Sequence, residues 1–318
     1  EYSGSITIGS SADGYKMYTA EDGSTLTLSG VAISEITLRI FHLEGDDLFD
    51  IDGKYHDPSF FFIDAEDINE DGYSDLVIAP VGAVLDYEKA YDPIILLSQS
   101  GHNFKMAEIK GDWDGLLFPS KIVISDLDND GDFDIVFSAN GYDAPPFPKE
   151  NFGIFIQQDN QFSDLNEQYP TLHNSHRGDG SGSFYHSAAV GDLNHDLSPD
   201  IFMGDMRQPF IIDGKNRQMF SVERIMDPNQ GGNQVLNSEI INVVGSLELE
   251  LVLVGHKFTS QILTFDKDYN ITNVIELPDN KTFEVANVLG IASGDINADG
   301  LNDLIFTMAS ENYRYGSL

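Results

Sequence analysis

Four segments of this chain place oxygen-bearing side chains at positions 1, 3, 5 and 9 of a nine-residue stretch. They supply Asp67, Asn69, Asp71 and Asp75; Asp126, Asp128, Asp130 and Asp134; Asp192, Asn194, Asp196 and Asp200; and Asp295, Asn297, Asp299 and Asp303. Alternate residues of a tightly curled loop point inward, so such spacing can wrap one hard cation. Calcium suits it, because calcium takes six to eight oxygens at about 2.3 to 2.6 Å. Position 7 varies freely, as Tyr73, Asp132, Ser198 and Leu301. A ligand that donates only its backbone carbonyl predicts that freedom.

Gly72, Gly131 and Gly300 occupy position 6, where the chain must turn sharply and a positive φ is expected. The third copy carries Leu197 there, at a cost on the order of 1 to 2 kcal/mol, and Pro199 further restricts Ser198. That site is expected to be distorted or weaker, giving three to four calcium ions in all. A single copy can also be read as an acidic surface turn rich in Asp, Asn and Gly. Four copies in one register argue for the cation, since carboxylates crowded within a few ångströms repel each other without one.

The elements that hold these loops are legible from the apolar runs around them. Each loop is entered by one run (Phe60 to Ile63, Ile122 to Ile124, Ala188 to Val190, Val288 to Ala292) and left by another (Leu76 to Ile78, Ile135 to Phe137, Ile201 to Met203, Leu304 to Phe306). These short runs, bounded by turn residues, predict strands buried on both faces. A second hairpin usually follows, at 94–104, 152–162, 210–220 and 261–271. The loops begin 59, 66 and 103 residues apart. The long last interval predicts a hidden repeat at 238–277, in which the turn near Ser246 has shed its ligands and become a short hairpin.

Four strands per unit, recurring without helical periodicity, predict an all-β fold: a β-propeller, six blades favoured over seven, formed by residues 1–318 as one domain. Five repeats fill 59–318. The strand-like pieces Ser5 to Ile8, Tyr15 to Tyr18, Thr25 to Leu28 and Ile36 to Ile40 within 1–58 are expected to complete the ring. The last repeat lacks an outer hairpin.

With Gly191 and Gly294 preceding Asp192 and Asp295, the loops resemble the FG-GAP/VCBS repeats of integrin α-subunit propellers and bacterial surface proteins. The resemblance covers residues 59 to 318. It implies a propeller with calcium at the positions named above, and it implies fold and metal more firmly than activity. Leu197 and the ligand-free turn near Ser246 depart from the pattern.

Composition narrows the partners. Among 318 residues, 53 are acidic and 17 basic, a formal charge of -36, of which four calcium ions would neutralise eight. Such a surface repels phosphate backbones, which excludes nucleic acid as a partner. There is no cysteine, so calcium takes the place of disulfides as the staple. Loops of this kind bind weakly enough to favour an extracellular or cell-surface setting. No apolar run reaches the roughly 18 residues of a membrane span. The expectation is a module of a longer chain.

Two further stretches exceed what a connection needs. Asn140 to Pro148 is stiffened by three prolines and presents Tyr142 and Phe147, either as a packed rigid loop or as a platform for a sugar or peptide. Tyr169 to His186 gathers His173, His176, Arg177, Tyr185 and His186 in a chain poor in cations. A lyase acting on acidic polysaccharide needs such a group: a cation for the uronate, a base for the α-proton and an acid for the leaving oxygen. A flexible polar loop or a non-catalytic ligand site uses the same residues. Arg177, Gly178 and Asp179 also spell a tripeptide that integrins recognise, and His173 and His176 could bind zinc if a third ligand existed. Three readings follow: an adhesin-like module binding a glycan or protein, a polysaccharide lyase, or a structural spacer.

Overall fold

A computed structural model describes residues 15–19, 25–28, 58–82, 90–99, 103–111, 115–141, 152–165, 184–205, 209–222, 234–245, 248–256, 260–277, 286–298, 301–310 and 316–317. Their regular structure is entirely β. A two-stranded piece pairs β1 (Tyr15–Thr19) with β2 (Thr25–Leu28), two of the four N-terminal strands expected. The stretches Ser5 to Ile8 and Ile36 to Ile40 lie outside the described residues.

Five larger sheets follow. The first runs in the order β3 (Pro58–Glu66), β4 (Asp75–Gly82), β5 (Ile94–Gln99), β6 (Asn103–Met106). The second contains β8 (Pro119–Ser125), β9 (Asp134–Ala139), β10 (Gly153–Gln158) and β11 (Gln161–Asp164), with β7 (Glu108–Lys110) added parallel to β11. The third is β12 (Tyr185–Gly191), β13 (Asp200–Asp205), β14 (Phe210–Ile212), β15 (Met219–Ser221). The fourth is β16 (Gln234–Ile241), β17 (Glu250–His256), β18 (Gln261–Phe265), β19 (Ile271–Glu276). The fifth is β20 (Ala286–Gly294), β21 (Asp303–Ser310) and β22 (Gly316–Ser317). The four expected second hairpins are present, and β22 gives the last sheet a third strand that the sequence did not reveal.

Consecutive sheets pack face to face, which explains the unbroken apolar runs. In β9, Ile135 and Phe137 face the first sheet's Val77, Ile95 and Leu97, while Val136 faces the third sheet's Ile201, Met203 and Ile212. The third and fourth sheets meet through Phe202, Ile211, Leu251, Leu253 and Leu263. Burial on both faces holds for second strands such as β9 and β13. The entering strands are less buried than predicted, because each lies at the edge of its sheet.

Those edge strands come together: β3 packs on β8, β8 on β12, β12 on β16 and β16 on β20. Lys121 of β8 reaches past β12 to β16, where its Nζ donates to Asn237 Oδ1 (3.0 Å), Glu239 Oε1 (2.9 Å) and the Ser238 carbonyl. Each of these five first strands also carries a register shift of the bulge type, between Pro58 and Phe60, Pro119 and Lys121, Tyr185 and Ser187, Val235 and Asn237, and Val288 and Gly290. The bulges re-aim the strand ends and increase local twist.

Candidate metal centre

All the acidic loops join the first strand of a sheet to the second, and they share one register. Glu66 pairs with Asp75, Ser125 with Asp134, Gly191 with Asp200 and Gly294 with Asp303, so eight residues lie between strands in each case. Ile241 pairs with Glu250 in the same way. The turn of the fourth sheet is therefore not the short hairpin expected. Eight residues separate Ile241 from Glu250, as in the other loops, with Val244 where the others have Asn or Asp, and Ser246 lies outside the described residues.

Backbone strain is distributed in a repeating way. Position 4 takes positive φ in all five loops: Glu70 (56°), Asn129 (60°), His195 (65°), Gly245 (74°) and Ala298 (59°). Position 6 does so at Gly72 (88°), Gly131 (100°) and Leu197 (72°). The Leu197 conformation is the unfavourable one predicted, and its side chain stands 84% exposed.

Hydrogen bonds orient the candidate ligands. Both oxygens of Asp67 accept backbone N–H groups, from Asp71 (3.0 Å) and Gly72 (2.8 Å), and Asn69 Oδ1 accepts a second bond from Asp71 N–H (3.0 Å). Asp126 and Asp128 do the same with Asp130 and Gly131, and Asp192 and Asn194 with Asp196 and Leu197. The Asp192 loop thus keeps the pattern of its neighbours despite Leu197. An ionised carboxylate has about four lone-pair sites, so these bonds fix it and leave capacity for a cation.

In the Asp126 loop, ligand oxygens of Asp126, Asp128 and Asp130 lie within 4.8 Å of one another. Burial and the neighbouring Asp130 and Asp126 charges push the Asp128 carboxyl above its ordinary value. Three converging hard oxygens fit calcium or another oxygen-seeking cation and no soft metal. Asp132, like Tyr73, Ser198 and Leu301, sits at position 7; Ser98 Oγ donates to the Tyr73 carbonyl at 3.4 Å. Asp295, Asn297 and Asp303 are placed in the last loop, while Asp299 lies outside the described residues.

The closing carboxylates have a structural task beyond the one read from spacing. Asp75, Asp134 and Asp200 are fully buried. One oxygen of each accepts an N–H from the start of its own loop: Asn69 to Asp75 (3.1 Å), Leu127 to Asp134 (2.8 Å), Leu193 to Asp200 (2.9 Å). The other accepts an N–H from or next to the third strand: Ser98 (2.6 Å), Gln157 (2.8 Å) and Gly214 (3.0 Å). Burial raises all three carboxyls, Asp134 to about 7 and Asp200 to about 6. Glu250 takes this place in the fourth sheet, fully buried and accepting from Val243 N–H at 2.9 Å. Asp303 accepts from Ile296 N–H at 3.0 Å.

Neighbouring loops touch. Asn129 Nδ2 donates to the Leu197 carbonyl (2.9 Å), His195 Nε2 lies 3.9 Å from Glu248 Oε2, and Asn302 Nδ2 donates to the Asn242 carbonyl (2.9 Å). Gln157 of the second sheet donates to the Ile68 carbonyl of the first loop at 3.3 Å. The position-2 side chains Ile68, Leu127 and Leu193 enter the cores formed with the next sheet. Ile296, at the same position of the last loop, is 65% exposed.

The other candidate residues fare differently. Tyr142, Phe147, His173, His176, Arg177, Gly178 and Asp179 lie outside the described residues. Tyr185 is buried, its ring edge-on to Phe152 at 5.4 Å and to Phe210 at 6.0 Å, which makes it a core residue. His186 occupies the bulge of β12 and is partly exposed. Among the described residues no helix is long and apolar enough to cross a membrane.

No family model matches the chain, and no curated protein matches it. Among solved structures, the biofilm matrix protein Bap1 of V. cholerae is similar at 16% identity with a TM-score of 0.34. The match covers 68% of this chain and 28% of the Bap1 chain, so the chain spans under a third of that protein's length.

Proposed function

We propose that the chain is a calcium-stabilised β-propeller of the FG-GAP/VCBS kind, six-bladed and extracellular, that displays a ligand-binding surface for a glycan or protein as part of a longer adhesin-like chain. One observation carries the metal half of this reading: the same loop, with the same register and the same N–H bonds onto its carboxylates, recurs in successive sheets. The convergence of three carboxylates in the Asp126 loop supports a hard divalent cation there. Asp67, Asn69 and Asp71, then Asp126, Asp128 and Asp130, Asp192, Asn194 and Asp196, and Asp295, Asn297 and Asp299 supply side-chain oxygens. Asp75, Asp134, Asp200 and Asp303 brace each loop while closing its shell, with the carbonyls of Tyr73, Asp132, Ser198 and Leu301 adding backbone ligands. When bound, calcium neutralises charge that otherwise opposes loop closure.

The propeller reading is supported by the meandering sheets and by edge strands that meet sheet after sheet. One blade takes 49 to 66 residues, counted between the starts of successive first strands, and residues 1–57 amount to one more. The ligand-binding half rests on the composition of the loops carrying Tyr142, Phe147 and Arg177. An array of glycans and peptides probed with the protein in calcium tests it: retention on a defined ligand class without turnover is expected. Retention on none would overturn the ligand-binding half.

A further inference from the structure

The geometry points to Tyr269 as a positioning residue for the Asp192 loop, through which the fourth sheet, having lost its own ligands, is fastened to the third sheet's cation. This rests on the calcium reading above. Tyr269 sits in the hairpin between β18 and β19, at a φ of 60°. Asp266 holds that hairpin rigid, its Oδ1 accepting N–H groups from Asp268 and Asn270, both at 2.9 Å, while Tyr269 N–H bonds to the Asp266 carbonyl at 3.0 Å. The phenol ring crosses the sheet interface and packs on Phe220 of β15, with centroids 4.4 Å apart.

Its hydroxyl ends among the ligands of the third loop. It donates to Asp200 Oδ1 at 2.6 Å, lies 3.0 Å from Asp213 Oδ2 and accepts from Asn194 Nδ2 at 2.9 Å. A phenol has one proton, and the short bond assigns it to Asp200. Asp213 Oδ2 is then served by Asn194 Nδ2 at 3.4 Å, and its Oδ1 by the Lys215 and Asn216 N–H groups. One hydroxyl therefore touches positions 3 and 9 of the loop together.

In the first two sheets, Asp75 and Asp134 take their outside bonds from Ser98 and Gln157 of their own sheet. Asp200 has the matching bond from Gly214 and adds Tyr269 from the next sheet. Of the four acidic loops, the one given this extra brace is the one that lacks glycine at position 6, and in it Lys215 Nζ approaches Asp196 Oδ2 at 3.6 Å. The sheet that supplies the brace is the one whose own loop has Val244 at position 3, where the acidic loops have Asn or Asp.

Calcium titration calorimetry on the full chain tests this with Tyr269→Phe, which removes the hydroxyl and keeps the ring on Phe220. One site is expected to weaken about tenfold, the loss of one hydrogen bond to a charged group, and the other sites to keep their affinities. In an Asp192→Asn background, which disables the third loop, Tyr269→Phe is expected to change the isotherm no further. Superimposable wild-type and Tyr269→Phe isotherms, with melting lowered equally in calcium and in chelator, would reduce Tyr269 to a packing role and overturn the inference. A wild-type chain that binds no calcium at all would overturn the calcium reading, and this inference with it. A second measurement does not need the tyrosine variant: amide exchange in β18 and β19 should slow when calcium is added, lose that protection in Asp192→Asn and keep it in Asp67→Asn. Equal responses in the two aspartate variants would contradict the link.

Discussion

At the scale of single residues, the closing aspartates decide how the loops respond to acid. Asp134 protonates at about 7 in the folded chain against an ordinary value of 3.8, because burial penalises its charged form more than the Gln157 and Leu127 N–H bonds favour it. A carboxyl raised in this way contributes stability that is complete below about pH 4 and is lost as pH rises through about 7. The chelated protein should therefore melt at a lower temperature at neutral pH than at about pH 5, and Asp134→Asn should flatten that slope in thermal melts across the window. In calcium the same substitution should destabilise, since the amide cannot neutralise the cation. Gly214 is a second residue on which a loop depends. A Cβ there would stand 2.1 Å from the Pro199 carbonyl oxygen, and Gly214 N–H holds Asp200. Gly214→Ala is expected to cost about 1 to 3 kcal/mol or more by denaturant unfolding, as overpacking against backbone does. The aspartates were legible from spacing alone, and so was the strained Leu197. Gly214 and Tyr269 were not, because nothing in a linear pattern says which residue of a later strand meets a loop in space.

At the scale of elements, the loop between β16 and β17 shows how the turn is held where the acidic pattern is missing. Asn242 Oδ1 accepts Gly245 N–H at 3.0 Å, and Glu250 accepts Val243 N–H at 2.9 Å, so hydrogen bonds tie both ends of the turn. Glu250→Ala should leave that partly buried N–H without its carboxylate partner and cost about 1 to 3 kcal/mol. The loss should be the same in calcium and in chelator, with the number of calcium ions bound unchanged. Residue types alone do not show the register of this turn: Glu at position 9 does not match an Asp motif, though it does the same job with a longer stem. The strands themselves were legible, since burial between two neighbouring sheets writes an apolar run into β4, β9, β13 and β17. The strand β22 was missed because Gly316 and Ser317 carry no apolar signal.

At the scale of the whole molecule, five sheets of similar plan among the described residues pack in series and their loops adjoin, in a chain with a formal charge of -36 and no cysteine. Self-repulsion on that scale opposes folding unless cations relieve it. The periodicity of the loops made this architecture readable, whereas the loops carrying Tyr142, Phe147 and His176 gave composition without placement. Calcium that binds only the folded chain stabilises it by about 2.7 kcal/mol per site when free calcium is a hundredfold above the dissociation constant. Thermal melting of the chelated full chain, repeated as calcium is titrated back, is the most direct test. Melting temperature should rise with calcium and saturate at three to four ions bound per chain, and magnesium at the same concentration should do less. A melting temperature that does not move when calcium is removed or restored would contradict the account.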